Sequence, residues 1–190
     1  MNKITNEWLK GKNACFDGVK WFDENYPKGS LPIPVLKKLS KEDRFDWANW
    51  TIVRVMTRPQ YLKYGVYAAE QVIDIFEKKY PNDKRPRQAI EAAKRVIDND
   101  TEENRRAAAY AAADAAYAAA YAAADAAYAG YTAYTAYAAH AAADAADAAD
   151  AAADAAYAAL AAYAAYAAAD KKAMQIKILN YGIKLLKGGE

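Results

Sequence analysis

"TRPQYLKYGVYAAEQVIDIFEKKYP", residues 57–81, is the stretch on which the fold turns. Leu62, Val66, Ala69, Val72, Ile73 and Phe76 recur at steps that line one face of an α-helix, not at the two-residue alternation of a half-buried strand. Thr57 is placed to cap the start, and Pro59 is tolerated in a first turn, where its missing N–H is not needed. The same period extends in both directions. "TNEWLKGK" opens a short helix with Thr5 as its cap, and "ACFDGVKWFDENY" sets Phe16, Val19, Trp21 and Phe22 at helical spacing. "PKGSLPIP" reads as a loop from its Pro, Gly and Ser content. "VLKKLSKEDRFDWANWTIVRVM" carries Leu36, Leu39, Trp47, Trp50, Ile52 and Val53 on a helical stripe with a break near Ser40. Trp8, Trp21, Trp47 and Trp50 are expected in the core.

Downstream, "NDKRPRQAIEAAKRVIDND" puts Pro86 in a first turn and Ile90, Ala93, Val96 and Ile97 on an inner face. Asp100 followed by Glu103 has the spacing of a capping box for the next helix. The closing "AMQIKILNYGIKLLKGGE" aligns Ile176, Leu179, Ile183 and Leu186 ahead of the stop signal Gly188–Gly189. No stretch alternates as a strand.

Residues 107–170 are unusual: 42 of the 64 are alanine, interrupted by Tyr or Asp every third or fourth position. Alanine loses no side-chain entropy in a helix, so the tract is expected to be helical, and it lacks the Gly and Ser of a flexible linker. Its decorated positions, Tyr110 to Asp170, recur at a mean of about 3.3 residues against about 3.6 per helical turn. The stripe therefore drifts around the cylinder, and the tract is expected to break into two or more helices packed on several sides. Alanine faces permit close approach, with tyrosines wedged between backbones and Asp114 and Asp125 among the partners of their hydroxyls. The expected fold is an all-α, single-domain helical bundle over 1–190: an amphipathic half (1–100), Ala/Tyr/Asp-rich helices (101–170) and a closing helix (171–190).

The formal net charge is +2, which argues against non-specific nucleic-acid binding. It is unevenly spread: residues 107–170 hold seven Asp and no Lys, Arg or Glu, while both flanks are basic. Cys15 is the lone cysteine, no signal-peptide core opens the chain, and no long apolar window spans a bilayer. A cytoplasmic protein with no membrane partner is expected.

Candidate binding residues are cationic or acidic. Arg85 and Arg87 flank Pro86 at a helix start and could hold phosphate or carboxylate, against the plainer reading of ion pairs with Asp83, Glu91 or the acidic tract. Arg54 and Arg58, one turn apart, could join them. Asp144, Asp147, Asp150 and Asp154 form an acidic ladder that calls for a basic face opposite, or simply for water; one helix face offers too few oxygens for a hard cation, so no metal is expected. Cys15 and His140, the lone histidine, could make a nucleophilic pair only by arithmetic. No phosphate-binding loop, dinucleotide loop or zinc spacing occurs. Neither catalysis nor a cofactor is expected.

Three motifs carry a resemblance: Ala14, Cys15, Gly18 and Trp21; then Ala69, Glu70, Val72, Phe76 and Glu77; then Asp83, Arg85, Pro86, Arg87, Ala89, Ile90 and Glu91. Together with the Ala-rich second half, they make residues 10–140 resemble a family of bacterial and phage immunity proteins. The resemblance implies a non-catalytic protein that neutralises a toxin or defence effector by binding it. Two other expectations stand beside it. One is a phage-type trap for a nucleotide signal, with arginines on phosphates and tyrosines on a base, which could be built at a homo-oligomer interface. The other is an ice-binding Ala-rich helix, disfavoured because only Thr132 and Thr135 lie in the tract.

Overall fold

A computed structural model of the chain describes residues 2–71, 73–121 and 168–188. Among these residues the chain is all-α, with helices α1 (Asn6–Gly11), α2 (Phe16–Asn25), α3 (Pro32–Lys41), α4 (Phe45–Val55), α5 (Arg58–Glu70), α6 (Ile73–Lys79), α7 (Arg85–Asp98), α8 (Glu102–Tyr121) and α9 (Ala168–Leu186). It divides into two compact units, Met1–Val55 and Met56–Glu190. Composition changes near residue 100, but the packing boundary lies at residue 55.

In the first unit α3 packs along α4 and α1 against α2. Leu36 and Ile52 are fully enclosed, and Leu39, Val35, Phe22, Ala48 and Val53 are buried as well. Thr5 caps α1 as expected, its hydroxyl accepting the Trp8 N–H at 3.2 Å. The loop read over 27–34 is shorter: Pro32 and Pro34 lie inside the first turn of α3, where a fixed φ helps and a missing N–H costs little. The break between α3 and α4 falls at Glu42–Arg44, close to Ser40, with Asp43 in the left-handed region at φ 58°. None of the four tryptophans is fully buried, contrary to expectation. Trp21 shows why: its indole N–H reaches outward to Glu42 at 2.7 Å, so the ring keeps one polar edge near water. Phe16 begins α2 but stands 80% exposed.

The second unit is organised by α5, which packs on α7 and α9 and touches α6, while α7 lies along α8. The stripe Leu62, Val66, Ala69, Ile73 and Phe76 is buried as its spacing requires. The helix does not run through, however. At Gln71 the backbone N–H is shared between the Tyr67 and Ala68 carbonyls, a tightened last turn, and the side-chain amide donates back to Tyr67 at 3.1 Å. Tyr64 is wholly enclosed on α5, and burial pushes its phenol far above the ordinary range.

Alanine does build a close seam where it is described: Ala89 of α7 is buried with Ala112 and Ala115 of α8, and Ala111 lies alongside. Tyrosine does not fill that seam at Tyr110, which is 69% exposed. Asp114 is exposed as well. Thr101, rather than Asp100, caps α8, its hydroxyl accepting the Asn104 N–H at 3.2 Å. On α9, Ile178, Leu179, Ile183, Leu185 and Leu186 are buried, whereas Ile176 sits at the margin, 36% exposed. Gly188 ends the last turn at φ 78°. The expected break of the tract between Tyr121 and Ala168 lies outside the described residues, as do His140, Asp125, Asp144, Asp147, Asp150, Asp154, Thr132 and Thr135.

Candidate functional site

The arginines singled out in the sequence are divided between the two units. Arg54 belongs to the first unit and Arg58, Arg85 and Arg87 to the second. Within the second unit each meets a carboxylate. Arg85 makes a two-pronged fork on Asp83, at 2.9 and 2.6 Å, and its backbone N–H adds a third bond at 3.2 Å. Arg87 forks on Glu77 at 2.9 and 2.6 Å and reaches Asp74 at 3.1 Å. Arg58 pairs with Asp100 at 3.1 Å, and Arg105 approaches the same carboxylate at 3.3 Å. Hydrogen bonding from Arg87 holds Glu77 below its ordinary value of 4.5, and Arg85 does the same for Asp83. The Glu77 carboxylate in turn pushes the Arg87 guanidinium further up.

These forks fix structure. Arg87 ties the start of α7 to α6, and Lys94 ties its middle to α5 through Glu70 at 2.8 Å. An open concavity of about 690 Å³ surrounds the α6–α7 loop, lined by Tyr80, Asn82, Lys84 and Gln88. Its arginine, Arg85, is already matched by Asp83 on the same wall. A phosphate there would have to displace a bidentate carboxylate.

In the first unit two arginines also lie over indole rings, and Arg44 Nε stands 3.4 Å from the Glu42 carboxylate. The Arg54 guanidinium lies 4.2 Å from the centre of the Trp50 ring, and its Nη1 donates to the Trp50 carbonyl at 3.0 Å. Trp50 meets Trp8 edge to face, with ring centres 6.3 Å apart. Arg44 lies 4.3 Å over Trp47, and Trp47 meets Trp21 at 6.1 Å. Trp21 meets Tyr26 at 6.1 Å as well. Trp47 and Trp50 are three residues apart on α4, so the two clusters are neighbours on one helix. Arg44 is three residues before Trp47 and Arg54 four after Trp50, the spacings that bring helical side chains together. That spacing is written in "RFDWANWTIVR" (44–54), where Arg44 carries the same signal as Arg54.

A pocket of about 140 Å³ opens beside the Trp8–Trp50 pair, lined by Asn2, Lys3, Ile4, Trp8, Pro32, Arg54 and Val55. A two-residue bridge positions its rim. Ile4 N–H donates to the Ser30 carbonyl at 2.8 Å, and Ser30 N–H returns to Ile4 at 3.0 Å. Ile4 is buried, so Asn2 and Lys3 are held beside the start of α3. Among the described residues, two cations and an indole line this pocket and no acidic side chain does.

Cys15 is exposed at the N-cap of α2, its sulfur accepting the Gly18 N–H at 3.4 Å. Among the described residues no group of three or more His, Cys, Asp or Glu is placed to hold a metal ion, and no helix is long and apolar enough to cross a membrane.

Residues 1–58 match the family model described as the YdhT N-terminal domain. The match ends three residues past the first compact unit, so the aromatic and cationic surface lies inside the part of the chain that is similar to this family. No curated protein and no solved structure matches the chain.

Proposed function

We propose that the chain is a non-catalytic binding protein whose first unit covers the working surface of a protein partner, a toxin or defence effector, and so neutralises it. The observation that carries this reading is the pair of Arg-on-Trp stacks, Arg44 on Trp47 and Arg54 on Trp50, one turn apart on α4. Trp and Arg are the side chains that most often dominate the energy of protein interfaces, because a large rigid ring and a planar cation give much contact area for little lost freedom. Half-buried indoles already held by neighbours lose little more on docking. Phe16, 80% exposed at the start of α2, adds apolar area on the same unit. The motif resemblance to immunity proteins points to the same class of partner.

The test is capture by the tagged full chain from its native cell. One protein should be recovered at a fixed ratio, and its activity should fall as the purified chain is added back to one equivalent. Recovery of no protein above a tag control, together with a thermal shift on adding nucleotides, would replace this reading with small-molecule sequestration.

A further inference from the structure

We infer that Glu42 is the positioning residue of the proposed interface: its carboxylate, on the turn between α3 and α4, sets the Trp21 and Trp47 rings and the Arg44 cation in the arrangement that docks. This deepens the binding reading and rests on it. Three observations point there. The first is connectivity. Glu42 Oε2 accepts the Trp21 indole N–H at 2.7 Å and stands 3.4 Å from Arg44 Nε, while Oε1 lies 3.0 Å from Lys38 Nζ. The Arg44 guanidinium covers the Trp47 ring, and Trp47 meets Trp21 edge to face. Carboxylate, indole, indole and guanidinium therefore form a closed circuit in which each group touches two others. Turning either ring breaks a link of that circuit.

The second is rigidity. Glu42 is the C-cap of α3. Beyond it the Arg44 N–H donates to the Leu39 carbonyl at 2.9 Å and the Asp43 N–H to the Ser40 carbonyl at 3.3 Å, with Asp43 left-handed at φ 58°. That double closure fixes the direction in which the chain leaves α3, and with it the backbone that carries Glu42 and Arg44. The third is location. Glu42 is exposed and outside the core, whereas Trp21 and Trp47 are half-buried, so the circuit lies at the surface where a partner can reach it. Hydrogen bonds from Lys38 and from Trp21 hold the Glu42 carboxyl below its ordinary value of 4.5, so the acceptor is charged at neutral pH and makes the stronger bond. Rings held in place before docking lose little freedom when a partner covers them.

The test follows the Trp21 indole N–H by NMR in the full chain and measures the affinity of the protein recovered by capture, for wild type, Glu42→Ala and Glu42→Gln. Glu42→Ala should speed exchange of the Trp21 indole proton at least about tenfold, leave the Trp8 and Trp50 indole signals in place, and weaken the captured protein about tenfold. Glu42→Gln keeps an amide oxygen for the indole, so it should restore slow exchange and hold the affinity within about threefold of wild type. The urea midpoint of the first unit should move little in both, because the side chain carries no part of the core. A purely structural role would instead lower affinity only in step with that midpoint. Unchanged Trp21 exchange in Glu42→Ala overturns the inference, and so does a captured protein held equally by wild type and Glu42→Ala. That second result leaves the binding reading standing, whereas an empty capture removes the binding reading itself, and with it the interface that Glu42 would serve.

Discussion

Gly29→Ala is the sharpest perturbation of the first unit. Gly29 sits at φ 71°, left-handed backbone that costs an L-residue about 1–2 kcal/mol. A Cβ there would stand 2.8 Å from the Ile4 carbonyl oxygen and 3.3 Å from Thr5 Cγ2. Backbone cannot swing aside as a side chain can, so the Ile4–Ser30 bridge must open. Its two hydrogen bonds contribute about 0.5–1.5 kcal/mol each. Lost freedom of the unfolded chain returns about 0.4–1 kcal/mol. The net cost is about 3 kcal/mol, against a total of roughly 0.05–0.15 kcal/mol per residue for a whole domain. Trp8, Trp21, Trp47 and Trp50 all lie in the first unit, so tryptophan fluorescence in a urea titration reports that unit alone. The expected result is a midpoint lowered by about 2 M or more, with an m-value near 1 kcal/mol/M. Gly11→Ala is the control: among the described residues its added Cβ meets nothing within 4 Å, and its midpoint should stay or rise. A Gly29→Ala chain that unfolds within about 0.5 kcal/mol of wild type would refute both the bridge and the placement of Lys3 argued from it.

Gly65→Ala on α5 should stabilise the second unit by about 0.5–1 kcal/mol in thermal melts followed by circular dichroism, because among the described residues the added methyl meets nothing within 4 Å and the helix gains propensity. Gln60→Glu should destabilise that unit by about 1–3 kcal/mol: the wild-type amide oxygen accepts from Thr57 N–H at 2.9 Å, while its NH₂ donates to the Leu185 carbonyl at 2.8 Å, where a carboxylate would face a carbonyl instead. Acid should weaken the α6–α7 corner. Glu77 and Asp83 are depressed in the folded chain, so their contribution is present above the ordinary carboxylate values, 4.5 and 3.8, and is lost as pH falls through the lower folded ones. Amide exchange at α6 and α7 should rise over that range, and Glu77→Gln should flatten the pH dependence.

Helices were legible wherever a stripe of apolar residues had only one way to be buried. Leu62, Val66, Ala69, Ile73 and Phe76 show it, and so do Ile90, Ala93 and Val96. What was missed depended on tertiary choices that spacing does not encode. The break at Gln71 has no Gly or Pro to announce it. The tryptophans read as core because they are large and apolar, yet an indole with an N–H to satisfy settles at the edge, as Trp21 does on Glu42. The α6–α7 corner was legible in kind, since the Asp83–Arg85 pair lies two residues apart in sequence. Its link from Arg87 to Glu77 spans ten residues and a turn, and no local rule names that partner. The pocket at Lys3 was invisible because it requires Ile4 to meet Ser30, a contact set by the turn at Gly29.

The contrast between the two sets of arginines bears on where a partner would dock. A guanidinium gripped by a two-pronged carboxylate has its planar donors used and its charge cancelled within about 3 Å, so an approaching anion meets a neutral dipole. A guanidinium lying on an indole face is held flat by the ring quadrupole in addition to whatever it pairs with. Arg85 and Arg87 are held by carboxylate forks, whereas Arg54 also lies flat on Trp50. Neutralising Arg87 should therefore loosen α7 on α6 and leave association with the protein partner proposed above nearly unchanged. Neutralising Arg54 should slow association with that partner by loosening the Trp50 ring, with α5–α9 intact. Equal effects of the two substitutions on the association rate would mean that net charge, rather than the way each arginine is held, governs recognition.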